Sequence, residues 1–389
     1  MTALVLALLA LPCLCTSGYL LFLAFLSRRR PAPVPAEGAL RFDLIVPAHD
    51  EESGIARTVR SLLAVDYPSA LRRVRVVADN CTDATAARAR AAGAEVWVRD
   101  EPERRGKGYA LAHAFEQSQR DGFADAVVVV DADSVVAPNL LTAFAARLAQ
   151  GAQAVQAGSA VLNPDDSWRT QLMALGFALF NRLRSLAREN LGLSCGLRGN
   201  GMCLRTSLLR QHPAQAFSVV EDLEYGLSLG RAGVRVHYAD EASVASAMVS
   251  SGAAAGSQRR RWESGRFALA RRLALPLLRD AARDSSPMLL DLALDLLVPP
   301  LSLVVLYLAG GICLSLLVCR VLVASVLWLA SALCIAVYVV RGWVLSGIGL
   351  RGLSALLQVP RYLAWKASLI FQAGGSPGWV RTAREEVFP

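Results

Sequence analysis

The chain has 389 residues, a formal charge of +9 at pH 7, 54% hydrophobic residues and a mean hydropathy of +0.38. A wholly soluble protein of this size is seldom so apolar, so the composition favours one large domain combined with membrane segments. Much of the positive charge flanks the apolar runs and no nucleic-acid-binding motif is present, which favours a lipid surface over a nucleic acid as the partner. The eight cysteines form no CxxC pair, which argues against a disulfide framework or a zinc site.

The chain begins with an apolar run over residues 3–26 that carries no charge and is followed by Arg28, Arg29 and Arg30. About 20 apolar residues are needed for a helix to cross the hydrocarbon core. Nothing basic precedes the run and it is longer than the core of a secretory signal, so residues 1–30 predict an uncleaved transmembrane anchor. The three arginines place the following segment in the cytosol by the positive-inside bias. Residues 31–40 form a linker rich in proline and alanine.

Residues 41–255 alternate short apolar bursts with helical stretches, which predicts an α/β domain with a largely parallel sheet. A helix is predicted to follow the first strand at 52–64, and strands are predicted at 41–48, 74–79, 94–98 and 125–133. The near-continuous valines of the last segment favour a strand that is buried on both faces. Ligands of such sheets bind beyond the carboxyl ends of the strands, so we expect the functional residues there.

The C-terminal third of the chain predicts three membrane-associated parts. Residues 256–290 contain the QRRRW segment and predict an amphipathic helix on the membrane surface. Residues 291–345 contain two uncharged apolar runs separated by Arg320 and predict a transmembrane hairpin, since a set of buried core helices would show a polar stripe. Residues 346–389 predict a second interfacial helix and a cytosolic tail. The whole pattern indicates a multi-pass protein of the cell (inner) membrane with its α/β domain in the cytosol.

Acidic residues gather where the predicted strands stop, at 49–52, 79–80 and 131–133. Each cluster alone is typical of a turn or a helix cap. Three clusters at one edge of a sheet repel one another unless a cation or ligand donors offset their charge. On extended backbone the side chains of Asp131 and Asp133 point the same way, and two such carboxylates can hold Mg²⁺ or Mn²⁺ shared with substrate phosphates.

Three further segments carry candidate chemistry. Residues 105–108, RGKG, precede a helix, and glycines with a lysine at a helix N-terminus favour an anion. Glu221 and Asp222 open another helix, where they serve either as an acidic pair favoured by the helix dipole or as a general base. Residues 258–262, QRRRW, offer more than a solvated charged face: hydrogen bonds, guanidiniums that pair with diphosphate, and an indole for a sugar ring or a lipid boundary.

The order of these motifs resembles the inverting, membrane-bound family 2 glycosyltransferases, which include cellulose, hyaluronan and poly-N-acetylglucosamine synthases and ceramide glucosyltransferase. That family has a PxxNE-like turn, an Asp after the second strand, a DxD, an (E/T)D base and QxxRW. This chain shows PAHDE, ADN, DAD, VED and QRRRW in the same order over residues 41–285. The resemblance implies a GT-A (nucleotide-diphospho-sugar transferase) fold that transfers sugar from a UDP-sugar donor with inversion and uses Mg²⁺ or Mn²⁺.

The resemblance also implies a role for each matched position. It assigns the donor nucleotide to Glu51 and Asp79 and the phosphates to Lys107. It implies that Asp131 and Asp133 bind the metal ion with the diphosphate, and that Asp222 is the general base. The implied acceptor and diphosphate contacts are Gly199, Asn200, Gly201, Glu221, Gln258, Arg261 and Trp262. The sequence departs from the family pattern at Asp50, where Asn is usual, and at Ala78, where a second Asp is frequent, which leaves the contacts to the base less defined.

The acceptor is the least determined part of the prediction. QxxRW occurs both in processive polymer synthases and in enzymes that add one sugar to a lipid. Three spans are few for a secretion channel, so we expect transfer to a lipid or lipid-linked acceptor, with a processive polysaccharide synthase subunit as the alternative. A catalytically inactive membrane scaffold or glycan-binding subunit is the alternative from another class, which the intact motifs disfavour. The sequence does not define the oligomeric state.

Overall fold

The computed structural model describes residues 2–34, 40–248, 252–318 and 322–371. One mixed sheet lies at its centre, built from β1 (Phe42–Ala48), β2 (Arg72–Asp79), β3 (Glu95–Arg99), β4 (Ala126–Val129), β5 (Ser134–Val136), β6 (Ala154–Val161), β7 (Met202–Arg205) and β8 (Val236–Ser246). The eight strands run in the order β3-β2-β1-β4-β7-β6-β8-β5. Strands β1 to β4 are parallel, whereas β7 is antiparallel to both of its neighbours and β5 is antiparallel to β8. The predicted α/β fold is confirmed, with a sheet that is parallel in its first half and mixed in its second.

Fifteen α-helices surround the sheet or extend away from it within the described part of the chain. They are α1 (Thr2–Leu26), α2 (Ile55–Leu63), α3 (Thr85–Ala91), α4 (Lys107–Asp121), α5 (Leu140–Ala149), α6 (Trp168–Phe177), α7 (Arg184–Leu191), α8 (Thr206–Gln211), α9 (Glu221–Arg231), α10 (Gly252–Arg283), α11 (Pro287–Leu297), α12 (Leu301–Val318), α13 (Leu322–Ser346), α14 (Leu350–Leu356) and α15 (Val359–Phe371). A π-helical segment over 178–183 joins α6 to α7.

The predicted strands lie close to the observed ones, and the main difference is where β4 ends. The valines of β4 are fully buried, as the sequence pattern predicted. The strand stops at Val129, however, and Ala132 and Asp133 lie in a turn that leads into β5. The expectation that Asp131 and Asp133 share one face of extended backbone is therefore wrong. Their side chains are brought together by the turn rather than by the pleat of a strand.

Two hydrophobic cores sandwich the sheet. On one face, alternate residues of β1 such as Leu44 and Val46 pack against Ile55 and Leu62 of α2 and Phe144 of α5. On the other face, a second core starts from the remaining residues of β1, β2 and β4 and continues through α4 and α7 into α1 and α13. Side chains on opposite faces of a strand alternate, so each core takes one set. The continuity of the second core joins the apolar helices to the sheet domain.

Two helices are long and apolar enough to cross a membrane, over Leu4–Leu26 in α1 and Ala324–Ser346 in α13. A third is added if Pro287–Leu297 and Leu301–Leu317, which meet at an angle of 66°, form one broken span. The bend lies at Pro299 and Pro300, since proline has no backbone N–H and clashes with the preceding turn of a helix. The first of the two uncharged runs predicted within residues 291–345 therefore does not form one straight helix. It is divided between the end of α11 and α12.

The predicted surface helix over residues 256–284 is present as α10, but its apolar face is covered by protein. Leu269 and Leu277 of α10 are buried against Leu292 and Leu296 of α11. Near its start the helix leaves Trp262 and Phe267 more than a third exposed. The C-terminal helix predicted after residue 346 is observed as α14 and α15, and the predicted tail over 372–389 lies outside the described residues.

Candidate active site

A cavity of about 890 Å³ lies at the carboxyl ends of β1, β2 and β4 and is lined by His49, Glu51, Asp79, Asp131 and Asp133. These are the acidic clusters that the sequence placed at the strand ends. The structure brings them to one cavity because the carboxyl ends of parallel strands meet at the same edge of a sheet.

The acidic residues at the strand ends form the polar half of the cavity, and Lys107 lies among them. It begins α4 directly after Gly106, whose φ of +121° is accessible mainly to glycine. Its Nζ donates to Asp131 Oδ1 at 2.5 Å and to the carbonyl oxygen of Gly199 at 2.6 Å, and it lies 3.8 Å from Glu221 Oε1. Burial alone would lower the pKa of Lys107, but the carboxylates of Asp131 and Glu221 raise it above its ordinary value. The lysine is therefore a fixed cation that joins three separate segments of the chain.

Asp222 faces the same cavity from the first turn of α9. A Cβ at Gly199 would lie 2.9 Å from Asp222 Oδ2, and φ at Gly199 is +77°. Both the close contact and the left-handed backbone therefore favour glycine at this position. Burial raises the pKa of Asp222, and the nearby Asp131 adds to that shift while Lys107 and Arg198 oppose it. Burial also raises the pKa of Glu221 to about 7, with Lys107 opposing the shift and Asp222 adding to it. A carboxylate of raised pKa in a cavity is suited to accept a proton from a hydroxyl group.

Asn200 braces the loop that carries the predicted metal ligands. Its Oδ1 accepts from the backbone N–H of Asp131 at 3.1 Å, and its Nδ2 donates to the hydroxyls of Ser134 and Ser246 at 2.8 and 3.0 Å. Gly201 follows with a φ of +70°, and a Cβ there would lie 2.8 Å from Val244. These hydrogen bonds position the backbone of Asp131, and Asn200 also lines the cavity.

The turns after β1 and β2 form the far wall of the polar half. His49 Nδ1 lies 2.7 Å from the carbonyl oxygen of Asp79, and Asp79 Oδ1 accepts from Arg99 at 2.5 Å. Asp50 has a φ of +53°, a left-handed conformation that Asn and Asp adopt more readily than most residues. This conformation explains why the departure at Asp50 from the usual Asn is tolerated. Glu51 and Asp79 both line the cavity.

Asp50, Cys81 and Asp83 form another close group whose ligand atoms lie within 4.8 Å of one another. Asp50 Oδ1 accepts from the backbone N–H of Thr82 at 2.6 Å, and Asp83 accepts from the N–H groups of Glu52 and Thr85. Cys81 Sγ is a soft ligand that Mg²⁺ and Mn²⁺ do not favour. The hydrogen bonds show that this group fastens the β1 turn to the β2 turn.

The QRRRW segment lies in the early part of α10, and Arg261 and Trp262 both line the cavity. The side chain of Gln258 lies outside the described part of the structure, so its predicted contact has no structural counterpart. Glu263, the next residue, accepts from the Nζ of Lys366 in α15 at 2.7 Å. Lys366 is buried and also donates to the hydroxyl of Ser302 at the start of α12. This ion pair ties the C-terminal helix to the segment that borders the cavity.

The cavity continues beyond the polar half into an apolar half that the sequence did not predict. Its walls are formed by α6, by the break between α11 and α12, by the middle of α13, and by α15, with the lining residues Leu172, Met173, Phe177, Val298, Leu301, Val305, Val339, Val359 and Leu363. These elements are neighbours or parts of the helices that are apolar enough to cross a membrane. One continuous space thus connects the carboxylates at the strand ends with the helices that are apolar enough to cross a membrane.

Three arginines lie between the two halves, and sequence reasoning missed all of them. Arg184, Arg198 and Arg266 line the cavity and surround the ring of Phe180, with guanidinium carbons 4.8, 4.4 and 5.3 Å from the ring centroid. They come from α7, the loop before β7 and α10. In a chain with 41 basic residues, none of them stands in a recognisable motif, so the sequence offered no signal that singled them out.

A divalent cation fits the charge and chemistry of the polar half. Asp131, Asp133, Glu221 and Asp222 line the cavity together, and Lys107 contacts the carboxylates of Asp131 and Glu221. Carboxylate oxygens are the ligands that Mg²⁺ and Mn²⁺ prefer. Asp131 uses Oδ1 for Lys107, and its Oδ2 has no hydrogen bond to another described residue. Burial is the main cause of the raised pKa of Glu221, and the neighbouring Asp222 and Asp131 add to it.

Comparisons with known proteins place the chain in a family. Residues 40–265 match the profile described as Glycosyltransferase like family 2. A mannosyltransferase from Pyrobaculum calidifontis, solved in complex with GDP-Man and Mn²⁺, is 20% identical with a TM-score of 0.57, covering 87% of this chain and 98% of that chain. A glucosyl-3-phosphoglycerate synthase from Mycobacterium tuberculosis, solved with Mn²⁺, UDP and phosphoglyceric acid, is 22% identical with a TM-score of 0.43, covering 62% of this chain and 84% of that chain.

A search of curated proteins gave no match. At its level of identity, the likeness to the mannosyltransferase shows a shared GT-A-like fold. The profile, by contrast, covers more than half of the chain and includes every acidic residue of the cavity. The chain therefore belongs to Glycosyltransferase like family 2, and it is a nucleotide-sugar transferase.

Proposed function

We propose that the protein transfers a sugar from a UDP-sugar, with inversion, to a lipid or lipid-linked acceptor at the membrane, and that it requires Mg²⁺ or Mn²⁺. The observation that carries the proposal is the continuity of the cavity from the strand-end carboxylates to the apolar helices. A soluble acceptor has no use for an apolar half of this kind. An acceptor with an apolar chain can place that chain there and present its hydroxyl group to the polar half.

The residues of the polar half divide the chemistry between them. Glu51 and Asp79 lie where the nucleoside of the donor is expected to bind, beyond β1 and β2. Asp131 and Asp133 are the proposed ligands of the divalent cation, which supplies positive charge to the diphosphate leaving group when bound. The P. calidifontis and M. tuberculosis proteins were solved with Mn²⁺ beside a nucleotide or nucleotide sugar, which supports this choice of ion.

Asp222 is the proposed general base. The acceptor oxygen forms a bond to the anomeric carbon, the bond from that carbon to the diphosphate oxygen breaks, and the hydroxyl proton passes to the Asp222 carboxylate. One displacement on one face of the sugar inverts the configuration. Lys107 holds the loop of Gly199 against the turn of residues 131–133, called here the DAD turn. Gly199 has no side chain and therefore leaves room for the carboxylate of Asp222. Asn200, Gly201 and Glu221 complete this wall, and Arg261 and Trp262 close the cavity from α10.

The proposed topology places the sheet domain in the cytosol of a multi-pass inner-membrane protein. Arg29 pairs with Asp240 at 3.5 Å and Arg30 donates to the carbonyl oxygen of Asn190, so the basic end of α1 contacts the domain directly. An epitope inserted at the exposed turn of Gln150 and Gly151 should resist protease in intact cells and become accessible after lysis. Digestion in intact cells would contradict this orientation.

The function is tested with purified full-length protein, a panel of UDP-sugars and membrane lipids, and product mass as the readout. Asp222→Asn should lower kcat by about 10²- to 10⁴-fold, the usual contribution of a general base. Asp284→Asn, at an exposed position after α10, is the matched control and should keep wild-type activity. One sugar added to a lipid supports the proposal, and a ladder of products would instead indicate a polymer synthase. Unchanged activity in Asp222→Asn would reject the assignment of the base.

A further inference from the structure

We propose that the acceptor carries a phosphate group, and that Arg184, Arg198 and Arg266 bind this phosphate between the two halves of the cavity. The inference rests on the proposed function, because it specifies the class of lipid that the enzyme uses. The shared chemistry is a phosphate ester attached to an apolar chain, as in a phospholipid or a polyprenyl-linked intermediate.

The first argument is geometric. The guanidinium carbons of the three arginines lie 4.8, 4.4 and 5.3 Å from the centroid of one ring, Phe180, and all three side chains line the cavity. Three guanidinium groups this close repel one another unless a negative charge lies between them. The cation–π contacts with Phe180 offset part of this repulsion, since each is worth roughly 0.5–2 kcal/mol. A phosphate presents several oxygens to several guanidiniums at once.

The second argument is the charge balance behind the cluster. Arg184 donates to Asp295 Oδ1 at 3.1 Å, and Arg188 takes the same oxygen at 2.8 Å and Asp291 at 2.7 Å. Arg266 donates to the backbone carbonyl of Asp295. Arg266 also lies 3.7 Å from Asp295 Oδ2, and the carboxylate of Asp222 interacts with Arg198. Among the described residues, three carboxylates therefore face a group of four guanidiniums. The group keeps a net positive charge, and three of its four arginines line the cavity.

The third argument concerns the hydrogen bonds of Arg198. Its guanidinium donates to the carbonyl oxygen of Cys195 at 3.2 Å, while its Nε is buried and has no hydrogen-bond partner within the described structure. An unpartnered buried donor costs about 1–3 kcal/mol unless a ligand or water completes it. Burial lowers the pKa of Arg198 and lowers that of Arg266 to about 10, with Asp295 opposing both shifts. Despite its burial, the pKa of Arg184 is raised, because Tyr338 and Asp295 outweigh the effect of burial.

The fourth argument is position. Arg198 precedes Gly199, which lies against the proposed base Asp222. On the other side, Arg184 donates to the hydroxyl of Tyr338 in α13, one of the helices apolar enough to cross a membrane. A phosphate at this cluster would therefore lie between an apolar chain and a hydroxyl presented to the base. The diphosphate of the donor has a separate place beside Lys107 and the DAD turn.

The test measures binding of hexadecyl phosphate to the full-length protein in a neutral detergent by isothermal titration calorimetry. Hexadecanol and inorganic phosphate are the two comparison probes. Hexadecyl phosphate should bind saturably and at least tenfold more tightly than either probe, because only it offers both the charge and the chain. Arg198→Gln should weaken this binding about 10- to 100-fold, in line with hydrogen bonds to charged groups. Arg210→Gln, an exposed arginine at the end of α8, is the matched control and should bind as the wild type.

Each result bears on the proposal. Equal binding of hexadecyl phosphate and hexadecanol, or unchanged binding in both Arg198→Gln and Arg266→Gln, would overturn it. Equal binding of inorganic phosphate would overturn the lipid part and assign the site to a free phosphate. Thermal unfolding of each variant checks that the fold is retained, and Arg198→Lys, which keeps the charge, should recover part of the affinity. Because no sugar transfer is needed, binding that persists in an enzyme with no lipid-transferring activity would show that only the proposed function had failed.

Discussion

Replacement of Glu221 by glutamine should stabilise the protein increasingly above pH 4.5, with the full effect above about pH 7. Glu221 opens α9, lines the cavity and has its Oε1 3.8 Å from the Lys107 ammonium. Burial raises the pKa of this carboxyl from 4.5 to about 7, and the neighbouring Asp222 contributes while Lys107 opposes. The folded protein therefore binds this proton more tightly than the unfolded chain does. Its contribution to the free energy of unfolding is greatest below pH 4.5 and is lost as the pH rises to about 7.

The size of the effect follows from the shift. The difference between 4.5 and about 7 is about 2.5 pKa units, and at about 1.4 kcal/mol each this is about 3.5 kcal/mol of unfolding free energy. Glutamine keeps the shape of the side chain and carries no charge, so the variant should lack this pH dependence. At pH 8 its Tm should exceed that of the wild type by several degrees, since 1 kcal/mol corresponds to roughly 2–4 °C for a domain of 150–250 residues.

The measurement is thermal unfolding of both proteins in detergent with EDTA, at intervals from pH 5 to pH 8. The Tm difference should be small at pH 5 and should grow steadily towards pH 8. Glu116→Gln, at an exposed position of α4 where the side chain is 59% accessible, provides the same chemical change outside the cavity and should show no such trend. A Tm difference that is constant with pH, or a variant that is less stable at pH 8, would refute the reasoning that a buried charge is responsible.

Three further predictions concern the geometry of the cavity. Gly199→Ala should lower kcat about 100-fold, because the new Cβ would lie 2.9 Å from the carboxylate of the base. Gly192→Ala has the same left-handed backbone and open space around it, so it should lower stability with little effect on kcat. Asp133→Ala should raise the Mn²⁺ concentration needed for half-maximal UDP release at least tenfold, and an unchanged metal requirement would remove it from the ligand set. Lys366→Met should lower the free energy of unfolding by about 3 kcal/mol, because it leaves the partly buried carboxylate of Glu263 without its cation. Adding Glu263→Gln should recover part of this loss in a double-mutant cycle, and simple additivity would show that the pair does not interact.

The strand ends were predictable because local sequence and sheet geometry determine them together. Apolar bursts mark β1, β2 and β4, and the polar residues that follow each burst must lie at one edge of a parallel sheet. This was enough to place Glu51, Asp79 and Asp131 around one cavity. The exact end of β4 was not predictable, because Val130 continues the valine pattern and still donates its backbone N–H to Ile45 of β1, just before the turn at 132–133.

The junction between the polar and apolar halves could not be predicted from the sequence. It depends on helices that are far apart in the chain, such as α7 and α11, where Arg188 meets Asp291 across more than a hundred residues. Periodicity shows which face of a helix is apolar, but not which helix covers it. For the same reason α10 was expected to lie on the membrane, whereas its Leu269 and Leu277 are buried against α11.

The choice of lysine at two positions shows how strongly the cavity constrains its cations. The chain has only two lysines among its 41 lysine and arginine residues. Both of them, Lys107 and Lys366, donate hydrogen bonds to two oxygen atoms. The ammonium group is compact and donates in three directions, whereas the guanidinium is a wide planar fork. A fork does not fit between a carboxylate and a carbonyl oxygen that are 2.5 and 2.6 Å from one nitrogen. Lys107 therefore connects the DAD turn to the loop of Gly199 in the polar half of the cavity. Lys366 connects α15 to α10 and α12 beside the apolar half.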